Sequence, residues 1–277
     1  MNINLPSAEL SKKQFEKISQ LIYQLCGIKL GPGKEGLVKS RLVKRLRTLG
    51  MRSFDQYLSL IESEGAGQEL AAMVDLLTTN KTSFFRERQH FDYLSQQILP
   101  SLTAGPRRIR IWSAGCSSGQ EPYSLAIVLR EQIQDIDCWD ARILATDISA
   151  RMLARAREAI YEEEAVRDVA PALLQKYFVC VRSRHPRAYR VNDDLRAMVK
   201  LAQLNLMGEW PMKGPFDLIF CRNVMIYFDK PTQQALIDRF WQLLAWGGHL
   251  FVGHSESLVA SAHRFHYVQP AVYRKQD

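Results

Sequence analysis

The stretch "IWSAGCSSGQEPYS" (111–124) reads as a strand entering a glycine turn and then a helix, the place where nucleotide-binding folds hold phosphate. It contains no Gly-Lys-Ser/Thr, and Gly115 and Gly119 stand too far apart for Gly-x-Gly-x-x-Gly, so neither phosphate fingerprint is present. Glu121 follows the turn, and Asp147 closes a second apolar run within "ATDIS" (145–149). A carboxylate at a strand end suits a ribose, whose hydroxyls need acceptors. Two carboxylates around such a turn repel a pyrophosphate and accept a ligand that carries a ribose and positive charge but no phosphate. S-adenosylmethionine, with its sulfonium and ammonium, has that chemistry. Plainer readings stand beside this one: a glycine turn can be geometry alone, and Asp147, two residues before Ser149, can help cap the next helix. Arg222 and Asn223 lie together inside the apolar run "LIFCRNVMIYF" (218–228), where either residue is costly unless it has a partner. Backbone carbonyls could be those partners, or a ligand site could.

The elements that must position these residues follow from periodicity. From about residue 107, short apolar runs end in small or polar residues: "RIRIWSA", "ARILATDI", "FDLIFCR" and "GGHLFVGH". Helices are expected between them at about 121–133, 149–160 and 231–245, with Pro122 and Pro231 in their first turns. Such alternation predicts a mostly parallel sheet covered by helices, with ligands beyond the carboxyl ends of its strands. Residues 177–205 interrupt the alternation and read as a small antiparallel insert. Upstream, residues 8–80 carry helical periodicity only: Leu21, Ile22 and Leu25 form one stripe, Val38, Leu42, Leu46 and Leu49 another, with Gly50 as a stop.

Composition narrows the class. A chain of 277 residues with 47% hydrophobic and 24% charged residues is ordinary for a globular protein, and no apolar run nears the roughly 18 residues of a membrane span. The first fifteen residues lack the basic and apolar regions of a signal peptide, which predicts a cytoplasmic protein. Cys26, Cys116, Cys138, Cys180 and Cys221 are scattered without Cys-x-x-Cys and read as reduced thiols. His254, His263 and His266 complete no familiar ligand spacing, so no metal is expected. A net charge of +8 points to an acidic partner.

Six segments in series, "TTNKTSFFRE" (78–87), "SAGCSSGQEPYS" (113–124), "ATDIS" (145–149), "LNL" (204–206), "FDLIFCRNVMIYF" (216–228) and "GHSES" (253–257), resemble the chemoreceptor glutamate methyltransferases, the CheR family. The resemblance covers roughly residues 10–275. It implies an α/β fold: a Rossmann-like S-adenosylmethionine-dependent methyltransferase domain (107–277) with a small antiparallel β-subdomain (177–205). An all-α N-terminal domain (1–78) and a linker that closes over the cofactor (79–106) precede it. The implied reaction esterifies glutamate side chains on the cytoplasmic helices of chemotaxis receptors and leaves S-adenosylhomocysteine. By the same resemblance Asn80, Thr82 and Arg86 belong to the closing segment, and Glu121 and Asp147 are the cofactor carboxylates. Asn205 and Leu206 mark the segment near the adenine, and Arg222 and Asn223 are further cofactor contacts. Arg86 and Tyr227 lie beside the transferred methyl. The implied enzyme is cytoplasmic, recruited to receptor arrays, and monomeric, with a regulatory protein partner left open. Family members that dock on a receptor's pentapeptide tail carry glycines in the β-subdomain hairpin. Here "VRSRHPRAYRV" (181–191) has none, which leaves tethering by a tail open.

The chemistry agrees with the residue types. A glutamate nucleophile has an unperturbed pKa near 4.3 and is already ionised at neutral pH, so no general base is needed. Positioning and desolvation remain to be done. Arg41, Lys44, Arg45 and Arg47 run along one predicted helix beside its apolar stripe; they read either as a solvated face or as the docking surface for an acidic helical substrate. In the second case replacing Arg41, Lys44 and Arg45 should leave folding nearly unchanged. A nucleic-acid methyltransferase would also suit the charge. However, the Asn/Asp-Pro-Pro-aromatic signature of base amino-group methylation is replaced by Arg-Asn-Val-Met, and no RNA-binding module is present, so no nucleic-acid partner is expected. A non-catalytic adaptor is the third reading, and Arg86, Arg222 and Tyr227 together speak against it.

Overall fold

A computed structural model describes residues 8–181, 186–258 and 263–276. Two compact units are present: residues 1–79 with 227–229, and residues 80–226 with 230–277.

The smaller unit is helical because its apolar residues recur every three to four positions and its caps are well chosen. Helix α1 (Lys12–Cys26) opens on a capping box, Ser11 with Gln14, and stops at Gly27 in the left-handed conformation. Helix α2 (Glu35–Thr48) buries Val38, Leu42 and Leu46, while Leu49 only caps it. Ser53 caps α3 (Phe54–Ile61), and α4 (Gly67–Leu77) buries Met73, Val74 and Leu77. Residues 227–229 belong here through Lys29 N–H donating to the Tyr227 carbonyl (2.9 Å) and Tyr23 donating to Asp229 (2.7 Å).

The larger unit begins with α5 (Gln89–Tyr93), which continues through a wider turn at Leu94–Ile98 into α6 (Leu99–Thr103). Then come β1 (Arg108–Ala114), α7 (Gln120–Gln132), β2 (Asp140–Asp147) and α8 (Ala150–Glu158). A small segment follows: β3 (Ile160–Glu162), α9 (Glu163–Val166), α10 (Pro171–Tyr177), β4 (Phe178–Val181) and β5 (Ala188–Val191). The chain re-enters the main layer with α11 (Asp193–Met198), β6 (Val199–Gln203), β7 (Phe216–Cys221) and α12 (Lys230–Leu243), and ends with β8 (Leu244–Val252), β9 (His266–Gln269) and β10 (Val272–Arg274).

The main sheet has the order β6-β2-β1-β7-β8-β10-β9, parallel from β6 to β8 and antiparallel in its last two strands. From β1 the chain winds to β2 on one side and later to β7 on the other, so a topological switch point lies between β1 and β7. Its core is continuous, from Ile109, Ile111 and Ile143 through Leu125 and Leu129 to Leu218, Phe220 and Phe251.

One expectation is corrected. The antiparallel sheet, β3-β5-β4, spans residues 160–191, whereas 199–203 form β6, which pairs in parallel with β2. "VKLAQ" is an edge strand with exposed Lys200 and Gln203, and half-exposed alternation is what an antiparallel strand also shows. Of the glycine-free hairpin, residues 182–185 lie outside the described residues.

Candidate active site

The turn after β1 needs its two glycines. Gly115 and Gly119 have φ of +86° and +94°. A Cβ on Gly115 would come within 2.5 Å of Val224 Cγ2, and one on Gly119 within 2.9 Å of the Ala156 Cβ. Between them the chain is tied down. The N–H groups of Gly115 and Cys116 donate to the Thr146 carbonyl (2.8 and 2.9 Å). Ser117 N–H donates to Asp147 Oδ2 (2.7 Å), and the Ser117 hydroxyl donates to the Asn80 carbonyl (2.9 Å).

Asp147, 7% exposed at the end of β2, also accepts from Ser149 N–H through Oδ1 (2.9 Å). Ser149, not Asp147, caps α8, through its hydroxyl and the Met152 N–H. Asp147 is therefore the clasp between the β1 turn and the start of α8.

At the end of β7, Arg222 has a side chain 1% exposed, and both terminal nitrogens of its guanidinium are paired. Its Nη1 donates to Glu121 (2.9 Å), and its Nη2 donates to Glu87 (3.0 Å) and to the Arg86 carbonyl. The guanidinium lies 5.6 Å from the Phe91 ring centre. Glu121 also accepts from the Ser113 hydroxyl (2.7 Å). Burial pushes Glu121 above the ordinary carboxylate range, against the pull of Arg222. Burial would raise Glu87 too, but Arg222 and Asn223 bring it below that range. Asn223 takes φ of +58°, tolerable for asparagine, and donates to Glu87 (3.3 Å). Its N–H and that of Ile226 donate to Glu256, a carboxylate at 6% exposure that also accepts from Gly253 N–H. Glu256 thus holds the loop after β7, although burial raises its pKa.

The structure gathers these residues into two hydrogen-bonded groups: Asn80 and Asp147 joined through Ser117 at the β1 turn, and Glu121, Arg222 and Asn223 joined with Glu87 and Glu256 at the β7 end; sequence reasoning did not single out Ser117, Glu87 or Glu256. Thr82 is partly buried, and the Arg86 side chain donates to the Lys81 carbonyl (2.8 Å). After β6, Asn205 closes a turn by accepting from Met207 N–H (3.0 Å), and the Leu206 carbonyl accepts from Arg239 and Trp210. Tyr227 belongs to the smaller unit, where its hydroxyl is 3.5 Å from the Thr79 carbonyl. His90, beside Glu87, is held neutral at about 3 by burial and by Arg222, too weak a base to serve as one at neutral pH.

The basic helix is corrected in part. Arg41 donates to the Leu76, Leu77 and Thr78 carbonyls (3.1, 2.9 and 2.9 Å), closing the C-terminus of α4. Arg45 forms a bidentate pair with Glu69 (2.6 Å at the closest), which also accepts from Tyr57 (2.8 Å). Both arginines therefore hold the helical unit together, contrary to the expectation that their removal leaves folding unchanged. Lys44 and Arg47 are exposed.

The excess of carboxylates fits a cationic, ribose-bearing cofactor. Glu87 and Glu121 share a single guanidinium, and Asp147 accepts from the N–H groups of Ser117 and Ser149, so these carboxylates favour a positive ligand.

Comparison with known proteins agrees. Residues 80–274 match the family described as "CheR methyltransferase, SAM binding domain", and residues 13–78 match "CheR methyltransferase, all-alpha domain". A probable chemotaxis protein methyltransferase of Rhizobium etli is 43% identical over 92% of this chain and 96% of its own length. Chemotaxis protein methyltransferases of Klebsiella aerogenes and Escherichia coli are each 43% identical, over 95% of this chain and 90% and 91% of theirs. The chain thus belongs to the CheR methyltransferase family and is an S-adenosylmethionine-dependent methyltransferase of chemotaxis.

Proposed function

We propose that the protein transfers the methyl group of S-adenosylmethionine to glutamate carboxylates on the cytoplasmic helices of chemotaxis receptors, as a cytoplasmic enzyme recruited to receptor arrays. The observation that carries the reading is the buried Arg222 flanked by Glu87 and Glu121, with Asp147 at the neighbouring strand end. When bound, the cofactor supplies an electrophilic methyl carbon on a sulfonium.

Each residue then has a limited task. Asp147, fixed at the end of β2 by the N–H groups of Ser117 and Ser149, accepts from ribose hydroxyls. Glu121 and Glu87 offset the positive charge of the ligand, and Arg222 keeps both carboxylates in place. Asn80, Thr82, Asn205, Leu206 and Asn223 complete the cofactor contacts. Arg86 clamps the cofactor, and Tyr227 orients the incoming carboxylate. No residue needs to remove a proton, because the substrate carboxylate arrives ionised. With Arg41 and Arg45 committed internally, Lys44 and Arg47 are left as the docking cations toward an acidic helix.

The test is incubation with S-adenosylmethionine labelled in its methyl group and receptor cytoplasmic fragments. Label on glutamate that leaves as methanol in base is the expected result. A base-stable label, or label on another residue type, would exclude glutamate ester formation.

A further inference from the structure

Beside the assembly just described, three groups with metal-binding atoms converge: the Glu87 carboxylate, the buried His90 ring and the exposed His254 ring, all within 4.8 Å of one another. His90 is 1% exposed, yet neither ring nitrogen has a hydrogen-bond partner. Buried imidazole nitrogens are ordinarily satisfied, so this ring lacks a partner that the protein does not itself provide. Its Nδ1 lies 3.5 Å from Glu87 Oε2, and its ring meets that of His254 edge-on with centres 4.9 Å apart. Two ligands each about 2.0 Å from a tetrahedral zinc are separated by roughly 3.3 Å, so the Glu87–His90 edge already has the span of a zinc site. His254 must close by up to about 1.5 Å from the 4.8 Å bound, which an exposed side chain can do by rotation, and the same exposure leaves a way in.

We propose that Glu87, His90 and His254 form a binding site for a divalent transition-metal ion of the zinc class, with at least one position open to solvent. Two imidazoles and one carboxylate are a zinc-type set, unsuited to magnesium or calcium, which take oxygen ligands. Arg222 beside Glu87 opposes a cation, but Glu121 shares that guanidinium, so the local carboxylates outnumber it. An ion here draws on the same Glu87 oxygens that hold Arg222 and Asn223, so its presence loads that network. The inference stands on this geometry and does not depend on which residue the enzyme methylates.

The test is titration of the full chain with cobalt(II) alone, then competition by zinc. One equivalent with visible d–d absorption and no thiolate-to-cobalt band is expected. His254→Ala should weaken binding by at least about tenfold, and His266→Ala, an exposed histidine elsewhere, should not. His254 is exposed, so its variant should melt as the wild type does; a matched melting curve is the control. Equal affinity in His254→Ala and wild type would overturn the site. A thiolate band would do so as well, by placing the ion on a cysteine.

Discussion

The two units each pair an arginine with glutamate, and the two arrangements differ in their burial and charge balance. In the helical unit Arg45 faces one carboxylate, Glu69, whose remaining capacity is taken by the Tyr57 hydroxyl. In the larger unit Arg222 faces two, Glu87 and Glu121, and is itself almost fully buried. The first network is balanced: one positive and one negative charge, with the Glu69 carboxylate shared between Arg45 and Tyr57. The second leaves more negative charge than positive at the ends of β1 and β7. Stability does not explain such an arrangement, because uncompensated buried charge costs several kcal/mol. A cationic ligand does. The balance of a buried ion network, more than its presence, thus separates scaffold from site.

The largest effect should come from Arg222→Met, which leaves two carboxylates without their cation. We expect a loss of about 3–5 kcal/mol of stability, read by denaturant unfolding, together with loss of measurable cofactor binding. Retention of both would mean that Arg222 is a spectator.

Arg45→Met should cost about 2–4 kcal/mol, below the fully buried case because Arg45 keeps 30% side-chain exposure. Calorimetry on the folded protein should find cofactor affinity unchanged. A variant equally stable but slower on receptor would return Arg45 to docking.

Asp147→Ala should weaken binding of S-adenosylhomocysteine by about 1.5–3 kcal/mol, the scale of a charge-assisted hydrogen bond. Part of that loss comes from freeing Ser117, so Asp147→Asn, which can still accept from Ser117 N–H, should fall between wild type and alanine. Equal affinity in all three proteins would remove Asp147 from the site.

Acid should affect the two networks differently. Burial would raise Glu69, but Arg45 and Tyr57 hold it below the ordinary 4.5. Its contribution is present above that value and is lost only as pH falls through the lower folded one. Glu121 has the opposite sign: its raised pKa means that it takes a proton before an ordinary carboxylate does. Affinity for S-adenosylhomocysteine should therefore decline on acidification while the helical unit is still intact, by no more than about 1.4 kcal/mol per pH unit for one proton. Glu121→Gln should flatten that decline; an unchanged profile would assign it to another group.

Much of this was legible in sequence because the relevant signals are local. Gly115, Gly119, Glu121 and Asp147 lie within a few residues of strand ends that periodicity marks, and Arg222–Asn223 stand out as polar residues inside an apolar run. Glu87 was missed as a partner because it is 135 positions from Arg222, and no local pattern pairs them. The available signal was that a buried arginine requires an acid, and "FFRE" ends in one. Glu256 was hidden for a similar reason: its task is to collect backbone N–H groups, which have no sequence signature. The basic helix misled because positive charge is visible in sequence and its internal partners, Glu69 and the last carbonyls of α4, are not.

The turn after β1 has one further consequence. Four hydrogen bonds, two to Thr146 and one each to Asp147 and Asn80, fix it before any ligand arrives. The conformational entropy of that segment is lost on folding, not on binding, so the turn meets its ligand already shaped. Association should be a single step whose observed rate rises linearly with ligand concentration, without the plateau that a slow loop rearrangement imposes. Stopped-flow mixing with S-adenosylhomocysteine would read this directly, and a saturating rate would show that this part of the protein has yet to order when the ligand arrives.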